Sequence, residues 1–259
     1  MYETILYTVD NKICSIKLNR PDKRNAFNAQ LVNELKVAFS DAESDDQIKI
    51  IILKGEGEVF SAGADLAYLQ SLQKNSYEEN LADSKNLMEL YQLIYTLSKP
   101  VIAQVEGHAI AGGCGLVTVC DFGFSVPEAQ FGYTEVKIGF VPAIVMVFLL
   151  RKINERSAKE LLLSGKLISA SQALVAGLIN GVVGKENINQ HVIEFANNLI
   201  ANCSRESLKA TKQMIAAVQE MKLEDALNYA AEVNAKARGS EDCKYGIETF
   251  LAKKRPQWE

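Results

Sequence analysis

Two short stretches of the chain, Phe60-Ser-Ala-Gly-Ala-Asp-Leu66 and Ala109-Ile-Ala-Gly-Gly-Cys-Gly115, set small residues where backbone amides can come close to a ligand. A bare N–H stabilises a developing oxyanion only from about 3 Å, and a larger side chain would hold the ligand off. Ala62 stands just beyond the apolar edge Val59-Phe60, and Gly63-Ala64-Asp65 can open a helix with Asp65 in its first turn, leaving the Ala62 amide free to point outward. Gly112 stands between a strand and the run Leu116-Val-Thr-Val-Cys120. Its N–H therefore belongs at a helix N-terminus, where the macrodipole favours negative charge. Taken singly, the first stretch is as readily a plain strand-to-helix turn. With the second beside it, the pair reads as a split oxyanion hole, and the chemistry it suits is stabilisation of an enolate.

The elements that must hold these loops alternate between two periods. Apolar runs of strand length at 13–18, 50–53 and 101–105 alternate with helical spacing, as in Leu31, Leu35, Ala38, Phe39 and Ala42. A second helical stretch over 81–97 carries Leu87, Leu90, Leu93, Ile94 and Leu97 and stops at Lys99-Pro100. The strands are short and apolar on both faces, which suits sheets covered by helices. Beyond about residue 145 the spacing predicts helix after helix, over 157–164, 171–176, 189–202, 204–219 and 223–238, and only 181–183 resembles a strand. An α/β N-terminal part thus carries a helical C-terminal part, with no Pro- or Gly-rich linker, internal repeat or low-complexity tract between them.

A chain of 259 residues that is 48% hydrophobic can bury a substantial core. Its net charge of −4 and pI near 5.5 leave no global basic field to draw in nucleic acid or an anionic membrane. Neither a basic, apolar leader nor an uninterrupted run of about 18 apolar residues occurs, so no membrane association and a cytoplasmic location are expected. The five cysteines (14, 114, 120, 203 and 243) form no Cys-x-x-Cys pair, which fits reduced thiols, with Cys114 and Cys120 acting as small apolar packing groups. His108 and His191 are far apart, so no metal site is expected. No Gly-x-Ser-x-Gly occurs, which argues against a serine-nucleophile hydrolase. Glu106 and Asp121 read as turn and cap residues.

The sequence resembles the crotonase, or enoyl-CoA hydratase/isomerase, superfamily from end to end. The likeness is carried by Asn19-Arg-Pro21, Lys23-Arg-Asn-Ala-Phe-Asn28, Phe60-Ser-Ala-Gly-Ala-Asp65, Lys99-Pro-Val-Ile-Ala103 and Gly107-His-Ala-Ile-Ala-Gly-Gly113. It continues through Cys120-Asp121, Gln130-Phe-Gly-Tyr-Thr-Glu135, Gly139-Phe-Val-Pro142 and Gly165-Lys-Leu-Ile-Ser-Ala170. The resemblance implies an α/β fold, a crotonase-type spiral of ββα units over 1–195, with a helical C-terminal trimerisation region over 196–259. It also implies a homo-trimer or hexamer and an acyl-CoA thioester substrate, with no cofactor beyond the CoA of the substrate itself.

Carried over position by position, the amides of Ala62 and Gly112 would hold the thioester oxygen, and Glu135 would move a proton or orient water. Without the resemblance Glu135 reads as a solvated loop residue. Arg24 and Ala26 would meet the pantetheine and phosphates, Ala64, Asp65 and Leu66 the adenine, and Phe250 and Lys253 the nucleotide of the same or a neighbouring subunit. Arg24 is equally a surface charge, and Lys253 a basic helix end. The departure is Gly115, three residues after Gly112, where hydratases of the family usually place a first glutamate. A two-carboxylate clamp on water then lacks one arm, which Gly115→Glu would restore if the pocket has room. One carboxylate suits a Δ3,Δ2-enoyl-CoA isomerase. Against that, the run from Glu135 to Ile144 looks like bacterial 3-methylglutaconyl-CoA hydratases, in which the substrate's own carboxylate or Tyr133 would place the water. The leading expectation is an acyl-CoA lyase of the hydratase type, with the isomerase as alternative. A crotonase-fold binding protein, even an RNA-binding one, is the non-enzymatic alternative; the retained Glu135 and the net negative charge argue against it.

Overall fold

The structure, a computed structural model, describes residues 2–258. The strands are β1 (Ile5–Asp10), β2 (Ile13–Leu18), β3 (Ile50–Gly55), β4 (Val59–Ser61), β5 (Val101–Val105), β6 (His108–Ile110), β7 (Phe122–Ser125), β8 (Gln130–Gly132), β9 (Ile168–Ser169) and β10 (Gly181–Val182). The helices are α1 (Ala29–Ser44), α2 (Leu66–Leu72), α3 (Tyr77–Thr96), α4 (Gly112–Val119), α5 (Ala143–Lys152), α6 (Glu155–Ser164), α7 (Ala170–Val175), α8 (Ile188–Asn202), α9 (Arg205–Val218), α10 (Leu223–Arg238) and α11 (Glu241–Leu251). Two sheets result, one in the order β1-β2-β3-β5-β7-β10 and a smaller one in the order β4-β6-β8-β9.

Successive strands go to alternate sheets. The chain lays β3 in the large sheet, β4 in the small one, and then turns into α2; β5, β6 and α4 repeat the move, as do β7, β8 and the segment leading to α5. This is the spiral of ββα units that the resemblance implies. Within the large sheet the pairings from β2 to β10 are parallel, with Ile51 opposite Val101 and Ile102 opposite Phe122. Such strands must bury both faces, and Ile50, Ile51, Ile52 and Leu53 are all buried. α1 turns Leu31, Leu35, Ala38, Phe39 and Ala42 inward, as their spacing predicts, and Asn28 caps it by accepting the Leu31 amide at 2.9 Å.

The boundary drawn at 195/196 falls inside α8, whose Ile188, Val192 and Ala196 all belong to the core. α9 is pinned to that core by Lys212, whose Nζ donates to the Lys99 carbonyl at 2.9 Å and to Asp121 Oδ2 at 2.7 Å. Asp121 also accepts the Val101 amide, so it serves as a structural anchor. α10 and α11 bury none of their residues in the single chain. Among the described residues no helix is long and apolar enough to cross a membrane.

Candidate active site

The second strands of three consecutive units, β4, β6 and β8, lie side by side and parallel. The segments leaving their C-terminal ends therefore converge: Ala62 to Asp65 after β4, Ala111 and Gly112 after β6, Tyr133 to Glu135 after β8. Ligand sites in α/β sheets favour this edge.

The first loop is zipped to the segment 24–27. The Ala62 amide donates to the Arg24 carbonyl at 3.0 Å, the Phe27 amide to the Gly63 carbonyl at 2.7 Å, and the Asp65 amide to the Phe27 carbonyl at 2.9 Å. Gly63 donates to Ser61 Oγ. This corrects the sequence expectation for Ala62, whose amide is engaged inside the protein. Among the described residues the Ala64 amide, two positions on, has no acceptor. Asp65 is the N-cap of α2 rather than part of its first turn, accepting from Ala67 and Tyr68 and pairing with Arg20 at 3.3 Å. Burial opposes its ionisation, but the Tyr68 and Ala67 amides and the Arg20 guanidinium outweigh it and hold the carboxyl below its ordinary range.

The second loop lies against the first. Gly63 has φ +83°, and a Cβ there would come within 2.8 Å of Ala111 Cβ and 3.2 Å of the Gly112 nitrogen. Only glycine permits both the backbone and the approach. Ala111, with φ 51° and ψ −124°, is a non-glycine residue in strained conformation, held by its amide's 2.7 Å bond to the Gly132 carbonyl. Gly112 then opens α4, and among the described residues its N–H also has no acceptor.

Glu135 begins the 3-10 turn Glu135–Ile138 that follows β8. It is 9% exposed and is the one buried carboxylate among the described residues; its Oε2 has no hydrogen-bond partner there. Burial raises its pKa against a smaller opposing bond from its own backbone. An unpaired buried carboxylate costs stability, and such groups concentrate at functional sites.

The wall inward of Gly115 is solid. A Cβ at that position would meet Val145 Cγ1 at 2.4 Å and the Tyr91 hydroxyl at 3.0 Å. A glutamate at Gly115 would have to push Val145 or the Tyr91 phenol aside, so packing opposes the restoration that the sequence suggested. The Tyr133 side chain does not face the site: it is fully buried, with its hydroxyl 2.6 Å from Oγ1 of Thr118 on α4. Arg24 is exposed and left-handed, Ala26 is buried beside it, and Ala64 and Leu66 are exposed, Leu66 at 72%. These form an open rim. Phe250, 78% exposed, and Lys253 lie at the end of α11, which packs on α10.

Two residues escaped the sequence reading. Asn25 is buried with φ 51°; its Nδ2 donates to the Glu56 and Val59 carbonyls, and its own carbonyl accepts Ser61 Oγ at 2.9 Å. It stitches the 24–27 segment to β4. The only signal was its place inside Lys23-Arg-Asn-Ala-Phe27. Tyr91 on α3, whose hydroxyl donates to the Gly112 carbonyl at 2.8 Å, gave no local signal beyond lying on the apolar face.

The sequence profile of enoyl-CoA hydratase/isomerase matches residues 8–259. A Thermus thermophilus protein provisionally named an enoyl-CoA hydratase is 39% identical over 246 residues, covering 95% of this chain and 97% of that one. The crotonyl-CoA hydratase of Syntrophomonas wolfei is 30% identical over 256 residues, 98% of this chain and 97% of its own. The crystal structure of an enoyl-CoA hydratase from Mycobacterium smegmatis superposes with a TM-score of 0.94 at 27% identity, covering 99% of both chains.

Proposed function

The chain belongs to the enoyl-CoA hydratase/isomerase family, and from that premise we propose that it is an acyl-CoA lyase of the enoyl-CoA hydratase type. The observation that carries this reading is the convergence of one buried carboxylate whose Oε2 has no partner, Glu135, with two amides that, among the described residues, lack acceptors, Ala64 and Gly112. The two N–H groups receive the thioester carbonyl oxygen. Glu135 accepts a proton from water as the water oxygen bonds to C3; the electron pair of the double bond moves through C2 onto the thioester oxygen, where the amides hold it as an enolate. Return of the proton to C2 completes the addition. A glutamate desolvated into a raised pKa is suited to both transfers near neutral pH.

The CoA moiety lies along the rim formed by Arg24, Ala26, Ala64, Asp65 and Leu66. Phe250 and Lys253 reach the nucleotide of a neighbouring subunit, and the exposed Leu223, Leu227 and Ile247 of α10 and α11 are covered in a homo-trimer or hexamer. A branched substrate with a distal carboxylate, 3-methylglutaconyl-CoA, is favoured by the run from Glu135 to Ile144. The alternative, double-bond migration in a 3-enoyl-CoA, uses the same enolate, with Glu135 removing the C2 proton and returning it at C4. The closed wall at Gly115 favours it, because the site offers one carboxylate where a water clamp would use two. Turnover of crotonyl-, 3-methylglutaconyl- and 3-enoyl-CoA thioesters tests the reading. Hydration of the branched acid above crotonyl-CoA is expected; migration without hydration would establish the isomerase, and turnover of none would reject both.

A further inference from the structure

The phenol of Tyr91 fits a notch cut into α4 by two glycines. A Cβ on Gly112 would lie 3.0 Å from its hydroxyl, and one on Gly115 would lie 3.0 Å from the hydroxyl and 3.1 Å from the ring. On its far side the ring meets Phe148 edge-on, 6.2 Å between centroids, and the whole side chain is buried. The one polar atom it carries into this apolar packing donates to the Gly112 carbonyl at 2.8 Å. Burial, and then the charge of Glu135, hold the phenol well above the usual tyrosine range, so it remains a donor throughout the working pH range.

Gly112 is the residue whose N–H faces the proposed oxyanion, and it follows the strained Ala111. A strained junction persists only where its surroundings over-determine it. Here three hydrogen bonds do so: Ala111 N–H to the Gly132 carbonyl on β8, Gly115 N–H to the Ala111 carbonyl at 3.0 Å within α4, and, from α3, the Tyr91 hydroxyl to the Gly112 carbonyl. Removing the Tyr91 bond would loosen the first turn of α4 on its α3 side while leaving the strand side and the helix's own bond in place.

We propose that Tyr91 is a positioning residue for the oxyanion site: its hydroxyl locks the first turn of α4 so that the Gly112 N–H stays aimed at the thioester oxygen, and with Val145 it takes the volume that a side chain at position 115 would need. The inference rests on the enolate reading of the site. Hydrogen bonds in a preorganised site contribute far more to the transition state than to ground-state binding, so the loss should fall on kcat.

Tyr91→Phe keeps the ring and removes the donor, and Tyr95→Phe, one turn further along α3, is the control. Three quantities are read on each: kcat and KM, affinity for free CoA, and the red shift that a conjugated aryl-enoyl-CoA thioester undergoes when its carbonyl is polarised. Wild type must first show turnover and the red shift; if it shows neither, the enolate reading fails before Tyr91 is tested. Given both, Tyr91→Phe should lower kcat about 10-fold or more and shrink the red shift, with KM and CoA affinity within about 2-fold of wild type and Tyr95→Phe unchanged. Gly115→Ala, which crowds Val145 and presses on the phenol without deleting it, should move kcat and the red shift in the same direction and supplies the readout if Tyr91→Phe melts too low to assay. Wild-type kcat and red shift in Tyr91→Phe would overturn the proposal. So would a parallel fall of CoA affinity and kcat in both tyrosine variants, which marks a structural role alone.

Discussion

The two sides of the site are built in opposite ways. On the α4 side, a Cβ at Gly115 would press on Val145 and on the hydrogen-bonded Tyr91 phenol, which leave it little space. Across from it, at Glu135, a carboxylate is taken out of water and given no partner for Oε2. A protein that packs one wall to van der Waals contact while leaving a buried acid oxygen without a partner on the other gives up local stability at the second. On the proposed reading, Gly115 is a packing residue and proton transfer rests on Glu135 alone.

The largest effect should come from the charged side. Glu135→Gln keeps the size of the side chain but cannot exchange a proton, so turnover should fall at least ~10²-fold while CoA affinity and folding survive, as steady-state kinetics and calorimetry would show. A variant with near-normal turnover would remove Glu135 from the mechanism and level the contrast.

On the packed side, Gly115→Glu should destabilise the fold by roughly 1–3 kcal/mol from overpacking alone, with a further cost for a buried carboxylate, and should yield no gain in crotonyl-CoA hydration. A melt like that of wild type together with faster hydration would show that the wall yields.

A subtler difference is expected in pH dependence. Because the folded-state pKa of Glu135 lies above its unfolded value, the folded protein holds more protons between the two, and its stability falls as pH rises through that window. Glu135→Gln removes this loss. The variant should therefore melt above wild type at neutral pH, with the gap closing below the ordinary glutamate range; a gap that is constant with pH would mean the carboxyl is not perturbed. The rate should rise with pH through the same raised pKa as the base ionises.

Much of this arrangement was legible in the sequence. Gly112 at a helix start, the inward face of α1 and the stop before Pro100 follow from local spacing and from the conformational limits of glycine and proline. Glu135 was placed by its motif, but its burial was not, because burial is set by what the spiral folds over it. The choice between Ala62 and Ala64 turns on hydrogen bonds to the distant 24–27 segment, which no local pattern encodes. Tyr91 was missed for the same reason: on the apolar face of α3 a tyrosine among leucines shows only that it is buried, and the glycine notch that gives it a role lies on another helix. α5 escaped because Ala143–Lys152 is apolar nearly all round and so lacks a clear stripe.

Enolate formation by Glu135 and the two amides is tested most directly without any hydration step. A saturated thioester such as butyryl-CoA, incubated with the enzyme in D2O, can exchange its C2 proton only through the enolate. The account predicts deuterium at C2 by NMR with wild type and at least ~10²-fold slower incorporation with Glu135→Gln. Exchange at equal rates in the two proteins, or none in wild type that turns over its enoyl substrate, would contradict it.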